Sequence, residues 1–175
     1  MAIFAMPNNK KAGRRSMIIP KLIETVKKLE EGWCYTVGTI IRASGLKTRD
    51  VYYQIQKVKQ LGLVNEIYIP IVNSEISLLC KGNSIKGVKI INRQKIITIT
   101  TEQVKKYIER IVASMKSKIY HMRASAVIRE FGISQSLASI LAIAYLMWLV
   151  DNNHFAGLVR PDHNKEPKIY FLFVK

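Results

Sequence analysis

The sequence predicts an α+β fold of two tandem units, each made of three helices and a β-hairpin, behind a basic N-terminal arm. Three observations carry this expectation. Apolar residues recur at helical spacing in two successive sets of three short segments. Each set gives way to stretches where apolar and polar residues alternate, the two-residue period of a strand with one buried face. Ahead of both, Lys10, Lys11, Arg14 and Arg15 stand among Asn, Gly and Pro with no period at all. These changes divide the chain into an arm over residues 1–16, a first unit over 17–100 and a second over 101–175.

In the first unit, Pro20 opens a helix, because its fixed φ and missing N–H suit a first turn. Leu22, Ile23, Val26 and Leu29 share one face, and Gly32 ends the pattern. Thr36 is placed to cap a second helix with Val37, Ile40 and Ile41 inward, and Gly45 supplies the left-handed residue that closes it. Thr48 reads as the cap of a third, in which Val51, Ile55, Val58 and Leu61 recur at helical spacing until Gly62. The period then changes. Ile67, Ile69 and Ile71, then Ile76 and Leu78 beyond an Asn73-Ser74 turn, predict a hairpin with Pro70 on an edge. Residues 81–87 read as a mobile basic loop, and residues 88–100 as another hairpin turning at Asn92 to Gln94.

The same order returns in the second unit. Thr100 and Gln103 form a capping-box signature ahead of a stripe of Val104, Tyr107, Ile108, Ile111, Val112 and Met115. A short helix over residues 124–131 ends at Gly132. Ser134 reads as the cap of a third helix with Leu137, Leu141, Tyr145 and Trp148 inward, and residues 168–174 form a strand paired with one near residues 156–159. Residues 137–150 are apolar on every side, so this helix must be buried against the first unit, a second copy of the chain or another protein.

Composition narrows the function. Hydrophobic residues make up 49% of 175, enough for a core, while 28 Lys and Arg against 12 Asp and Glu leave a net charge of +16. Such a surface attracts polyanions, and nucleic acid is the expected partner. Cys34 and Cys80 belong to no CxxC pair and read as two separate buried hydrophobes, neither a disulfide nor a zinc site. His154 near Asp151 and His163 beside Asp162 lack the further ligands a metal or acid/base site needs. No phosphate-cradling glycine loop, nucleophile elbow or HExxH occurs, so no enzyme, catalytic residue, metal or cofactor is expected. The longest apolar run is too short for a membrane span and the start lacks a signal-peptide core, so the expected setting is cytoplasmic, with nucleoid or ribosome.

The stretch GLKTRDVYYQIQKVKQLGLV resembles the helix-turn-helix of winged-helix proteins, and FGISQSLASILAIAYLMWL resembles a second copy. The resemblance implies two tandem winged-helix domains, in which the helix after the turn enters the major groove and the following hairpin, the wing, tracks the backbone. Opposite Val51, Ile55 and Val58, the 100° step projects Arg49, Tyr53, Gln56, Lys57 and Gln60 outward, with Tyr52 at the flank and Lys47 in the turn before them. Arg pairs with guanine, Gln with adenine, and Tyr and Lys reach phosphates. Lys81, Lys86, Lys89, Arg93 and Lys95 suit a wing, and Lys10, Lys11, Arg14 and Arg15 a sequence-independent arm. The second copy has no cation around Gln135, Ser136 and Ser139, so its helix is expected to make domain or partner contact.

Three readings stay open, the third of them a partner-only role such as a polymerase or replication accessory module. Double-stranded DNA binding, by a transcriptional regulator or chromosome-associated protein, is favoured by the face over residues 48–61. A ribosomal, rRNA-binding role fits the dispersed charge, and GISQSLASIL with its terminal IYF strand resembles the ending of winged-helix small-subunit ribosomal proteins. The abundance of Ile, Lys and Tyr resembles the composition of thermophilic archaea.

Overall fold

A computed structural model describes residues 19–64, 78–160 and 168–175, and over them the protein is mixed α+β, with six helices and two small sheets. Helix α1 (Pro20–Lys27), strand β1 (Trp33–Thr36), helices α2 (Val37–Ser44) and α3 (Thr48–Gln60) and strand β2 (Leu78–Lys81) come first. A hairpin of β3 (Gly87–Asn92) and β4 (Lys95–Thr100) follows. Then come α4 (Thr101–Ser114), β5 (Ile119–Arg123), α5 (Ala124–Glu130), α6 (Leu137–Val150), β6 (Phe155–Val159) and β7 (Tyr170–Val174). The order helix, strand, helix, helix, strand therefore occurs on both sides of the β3–β4 hairpin. The basic arm and most of the hairpin expected over residues 67–78 lie outside the described residues; its last expected residue, Leu78, begins β2, which pairs with β1.

The first sheet, in the order β2-β1-β3-β4, stands between two cores. Its pleat sends successive side chains to opposite faces. Tyr35 and Leu79 join Leu22, Val26, Ile40, Val51, Ile55 and Val58 of the first three helices, whereas Cys34, Leu78, Cys80, Val88, Ile90 and Ile99 join the core of the second half. One hydrophobic cluster thus runs across residue 100 into α4 and α6. At Gly87 any side chain would strike the Ile99 carbonyl and the Trp33 ring, so the β3–β4 pairing requires glycine there.

Strand β1 was not legible in the sequence, and it shortens the first helix, which ends at Lys27 well before Gly32. It also overturns the reading of the cysteines. Cys34 and Cys80 lie directly opposite each other in the antiparallel β1–β2 pair and are joined as a disulfide. Both are buried, as expected, but strands distant in sequence bring them together. The 81–87 loop is fastened at both ends: the Gly32 N–H donates to the Lys81 carbonyl at 2.7 Å, and the Lys86 N–H donates to the Gly32 carbonyl.

In the second half, the Thr100 hydroxyl accepts from the Gln103 N–H while the Gln103 side chain accepts from the Thr100 N–H, completing the capping box. Val104, Tyr107, Ile108 and Ile111 face the core. Strand β5, also absent from the sequence reading, forms a sheet of order β5-β7-β6, in which β6 and β7 pair as expected. The α6 cap is Ser136, whose hydroxyl accepts from the Ser139 N–H at 3.1 Å, and not Ser134. The start of α6 is correspondingly displaced, leaving Leu137 51% exposed and Tyr145 and Trp148 half-buried, while Ile140 to Ala144, Leu146 and Met147 fill the core. Leu141 is buried and Tyr145 and Trp148 pack against the core as expected, so of the four inward residues only Leu137 turns out, and the helix, apolar nearly all round, buries more faces than that one row.

Candidate nucleic-acid interface

The α2–turn–α3 unit begins with a local cap and ends with a left-handed turn. The Thr36 hydroxyl accepts from the Thr39 N–H, the Thr39 hydroxyl donates to the Lys89 carbonyl at 3.0 Å, and Gly45 takes φ +68° to close α2. The cap of α3 is Lys47 with no side-chain bond, so Thr48 is its first residue and not its cap. Val51, Ile55 and Val58 are buried, and so is Gln54, whose Oε1 accepts from the Ile19 N–H at 2.6 Å and ties α3 to the chain entering α1. Gln54 shares the stripe of Val51 and Val58 by helical spacing, so its burial was readable and its bond was not. Leu61, expected in the stripe, is 54% exposed because the helix has ended at Gln60.

The opposite face of α3 turns outward. Lys47, Arg49, Tyr52, Tyr53, Gln56 and Gln60 are exposed, and Lys57 is half-buried. Asp50, in the first turn, complements the helix dipole. The expected groove residues Lys47, Arg49, Tyr53, Gln56 and Lys57 thus lie on one helix whose back is held by the first core.

The basic residues of the β-rich segment disperse. Lys81 is half-buried and folded back on the chain: its Nζ donates to the Val26, Lys27 and Leu29 carbonyls at 3.0, 2.8 and 2.9 Å, capping the end of α1. Lys89 lies over the Trp33 ring at 5.0 Å, a cation–π contact, and Lys86 is exposed. Arg93 and Lys95 are exposed at the β3–β4 tip, where Arg93 and Gln94 take φ of 50° and 71°, an unusual conformation for two residues that are not glycine. Beside them, Asn92 Oδ1 accepts from the Ser134 N–H at 3.2 Å and from the Ser134 hydroxyl. That pair of bonds places the cationic tip against the segment leading into α6, where the sequence alone had no cation. Lys10, Lys11, Arg14 and Arg15 lie outside the described residues.

Other ionisable groups serve the fold. Arg110 pairs with Glu130 and lies over the Tyr107 ring at 5.4 Å. Burial pushes the Tyr107 phenol up to about 12, with Glu130 adding to the shift and Arg110 opposing it, and burial likewise raises Tyr145. The exposed Lys28 hydrogen-bonds Glu24 and holds its carboxyl below the usual value, a surface pair of small consequence for stability. His154 Nδ1 meets Asp151 Oδ2 at 2.7 Å, and the His154 N–H donates to Asp151 Oδ1, a clasp for the turn leaving α6. Asp162 and His163 lie outside the described residues. Among the described residues no group of three His, Cys, Asp or Glu is placed to hold a metal, and no helix is long and apolar enough to cross a membrane. The chain matches no family model, no curated protein and no solved structure.

Proposed function

We propose that the protein is a non-enzymatic double-stranded DNA binder of two winged-helix units, acting on the chromosome in the cytoplasm, with α3 as the helix that enters the major groove. The observation that carries this reading is the exposed row Arg49, Tyr52, Tyr53, Gln56 and Gln60 on a helix whose other face is buried. A helix is about 10–12 Å across and the B-form major groove about 12 Å wide, so α3 fits with these side chains at base edges and phosphates. The repeated order of elements and the net charge of +16 support the same reading. Lys86, Arg93 and Lys95 are exposed for phosphate contact.

Binding of preferred and random duplexes tests it. Arg49→Ala should cost about 1–3 kcal/mol on the preferred duplex and much less on random sequence, whereas Lys57→Ala should weaken both alike. If neither change alters duplex binding while the variants stay folded, the reading fails. One observation favours a second reading as an rRNA-binding ribosomal component: Lys105, Lys106, Lys116, Lys118, Arg123 and Arg129 are all exposed, scattered over the second half and not gathered at a groove-reading helix. Cosedimentation of the native protein with ribosomal subunits, and not with nucleoid DNA, would put that reading first.

A further inference from the structure

The outer face of the β5–β7–β6 sheet is a second surface with a chemistry of its own. Phe171 and Phe173 point into the core with no exposure, so alternation sends Tyr170, Leu172 and Val174 to the other side. The register sets Arg123 beside Tyr170, His121 beside Leu172 and Ile119 beside Val174, and directly opposed residues share a face. His121, Arg123 and Ile119 are exposed, Ile119 to 56%, and Tyr170 is half-buried. The His121 and Tyr170 rings meet edge to face, 6.5 Å between centroids and 84° between planes. Strands β5, β6 and β7 contain no Asp or Glu, and Arg123 has no ion pair among the described residues. Lys116, Lys118 and Lys168 are exposed at the ends of these strands.

We propose that this face binds an unpaired DNA strand, with bases stacking on Tyr170 and His121 and a phosphate held by Arg123. Two aromatic rings beside a guanidinium with no ion pair among the described residues, on three strands that contain no carboxylate, suit flat bases linked by anionic phosphates. Duplex DNA hides its base faces in the stack, so an unpaired strand is required. The rest of the platform selects the sugar. Ile119, Leu172 and Val174 offer no side-chain hydrogen-bond partner to a 2′-hydroxyl, and their apolar surface suits the less polar deoxyribose better. The site is separate from α3 and stands or falls without it.

The test uses the full chain and anisotropy titrations of labelled oligo-deoxyuridine of about 12 nucleotides, the matching oligo-uridine, and a duplex. Wild type should bind oligo-deoxyuridine more tightly than oligo-uridine. Tyr170→Leu should weaken oligo-deoxyuridine binding roughly 5- to 100-fold, Tyr170→Phe should retain it, and Arg123→Gln should lower the salt slope by about 0.7, all without change on the duplex. Arg49→Ala should show the reverse pattern. Wild-type affinity in Tyr170→Leu, failure of Tyr170→Phe to retain binding, or a preference for oligo-uridine would overturn the proposal. Loss of duplex binding throughout, with oligo-deoxyuridine binding intact and sensitive to Tyr170, would overturn the α3 reading and leave this one standing.

Discussion

Helices α3 and α6 hold corresponding places in two sets of elements with the same order, and the molecule uses them in opposite ways. Helix α3 buries Val51, Gln54, Ile55 and Val58 and turns Arg, Tyr and Gln outward. Helix α6 buries every residue from Ser139 to Ala144 together with Leu146 and Met147, enclosed by α4, α5, β6 and the β3 strand of the first sheet. An amphipathic helix leaves a face for a partner, and a helix apolar all round must be enclosed. The second half therefore carries the larger core and the first half the polar helix face. The domain contact expected of α6 is made within the chain, through the face of the first sheet that carries Val88 and Ile90.

The largest effect should come from the core of α6. Leu146→Ala should lower unfolding stability by about 2–5 kcal/mol, whereas Gln56→Ala on the outer face of α3 should stay within about 0.5 kcal/mol. Urea denaturation of both variants would break the comparison if the two costs were alike. Alkaline pH should sharpen it next. The Tyr107 phenol is held up to about 12 against an ordinary 10.0. The folded state keeps a proton that the unfolded chain releases, so this stabilisation is complete below pH 10.0 and disappears as pH rises through about 12. The loss should reach about 3 kcal/mol at most. Tyr107→Phe should flatten that part of the denaturation profile, and an unchanged profile would refute the assignment. Tyr35 in the first half, raised mainly by burial, contributes with the same sign. The smallest effect belongs to Lys81. Lys81→Met should cost about 1 kcal/mol in thermal unfolding by uncapping α1, and should leave the salt slope of duplex binding unchanged because this ammonium serves three carbonyls and no phosphate. A lower slope would place Lys81 among the nucleic-acid contacts.

Local signals were the legible ones. The Thr36 cap, the Gly45 turn, the Thr100–Gln103 capping box and the turn at Asn92 to Gln94 each depend on residues a few positions apart. The face of α3 was legible for the same reason, since a strong apolar stripe fixes rotation by itself. Strands β1 and β5 were not. WCYT lacks alternation because its sheet is covered on both sides, and IYHMR leads directly into a helix with no turn residue between them.

By itself the amino-acid sequence determined the α+β class, the order of most helices, the charge and the outward face of α3, all of which follow from period, capping and composition. Tertiary structure alone decided which distant groups meet. Cys34 met Cys80 because β1 and β2 pair in register, Lys81 met the end of α1, Asn92 met Ser134, and Arg123 met Tyr170 across β5 and β7. No residue in any of these pairs carries a mark of its partner. Partners separated by tens of residues are chosen by strand register and by the burial of whole faces, and those are properties of the assembled core and not of any short window of chain.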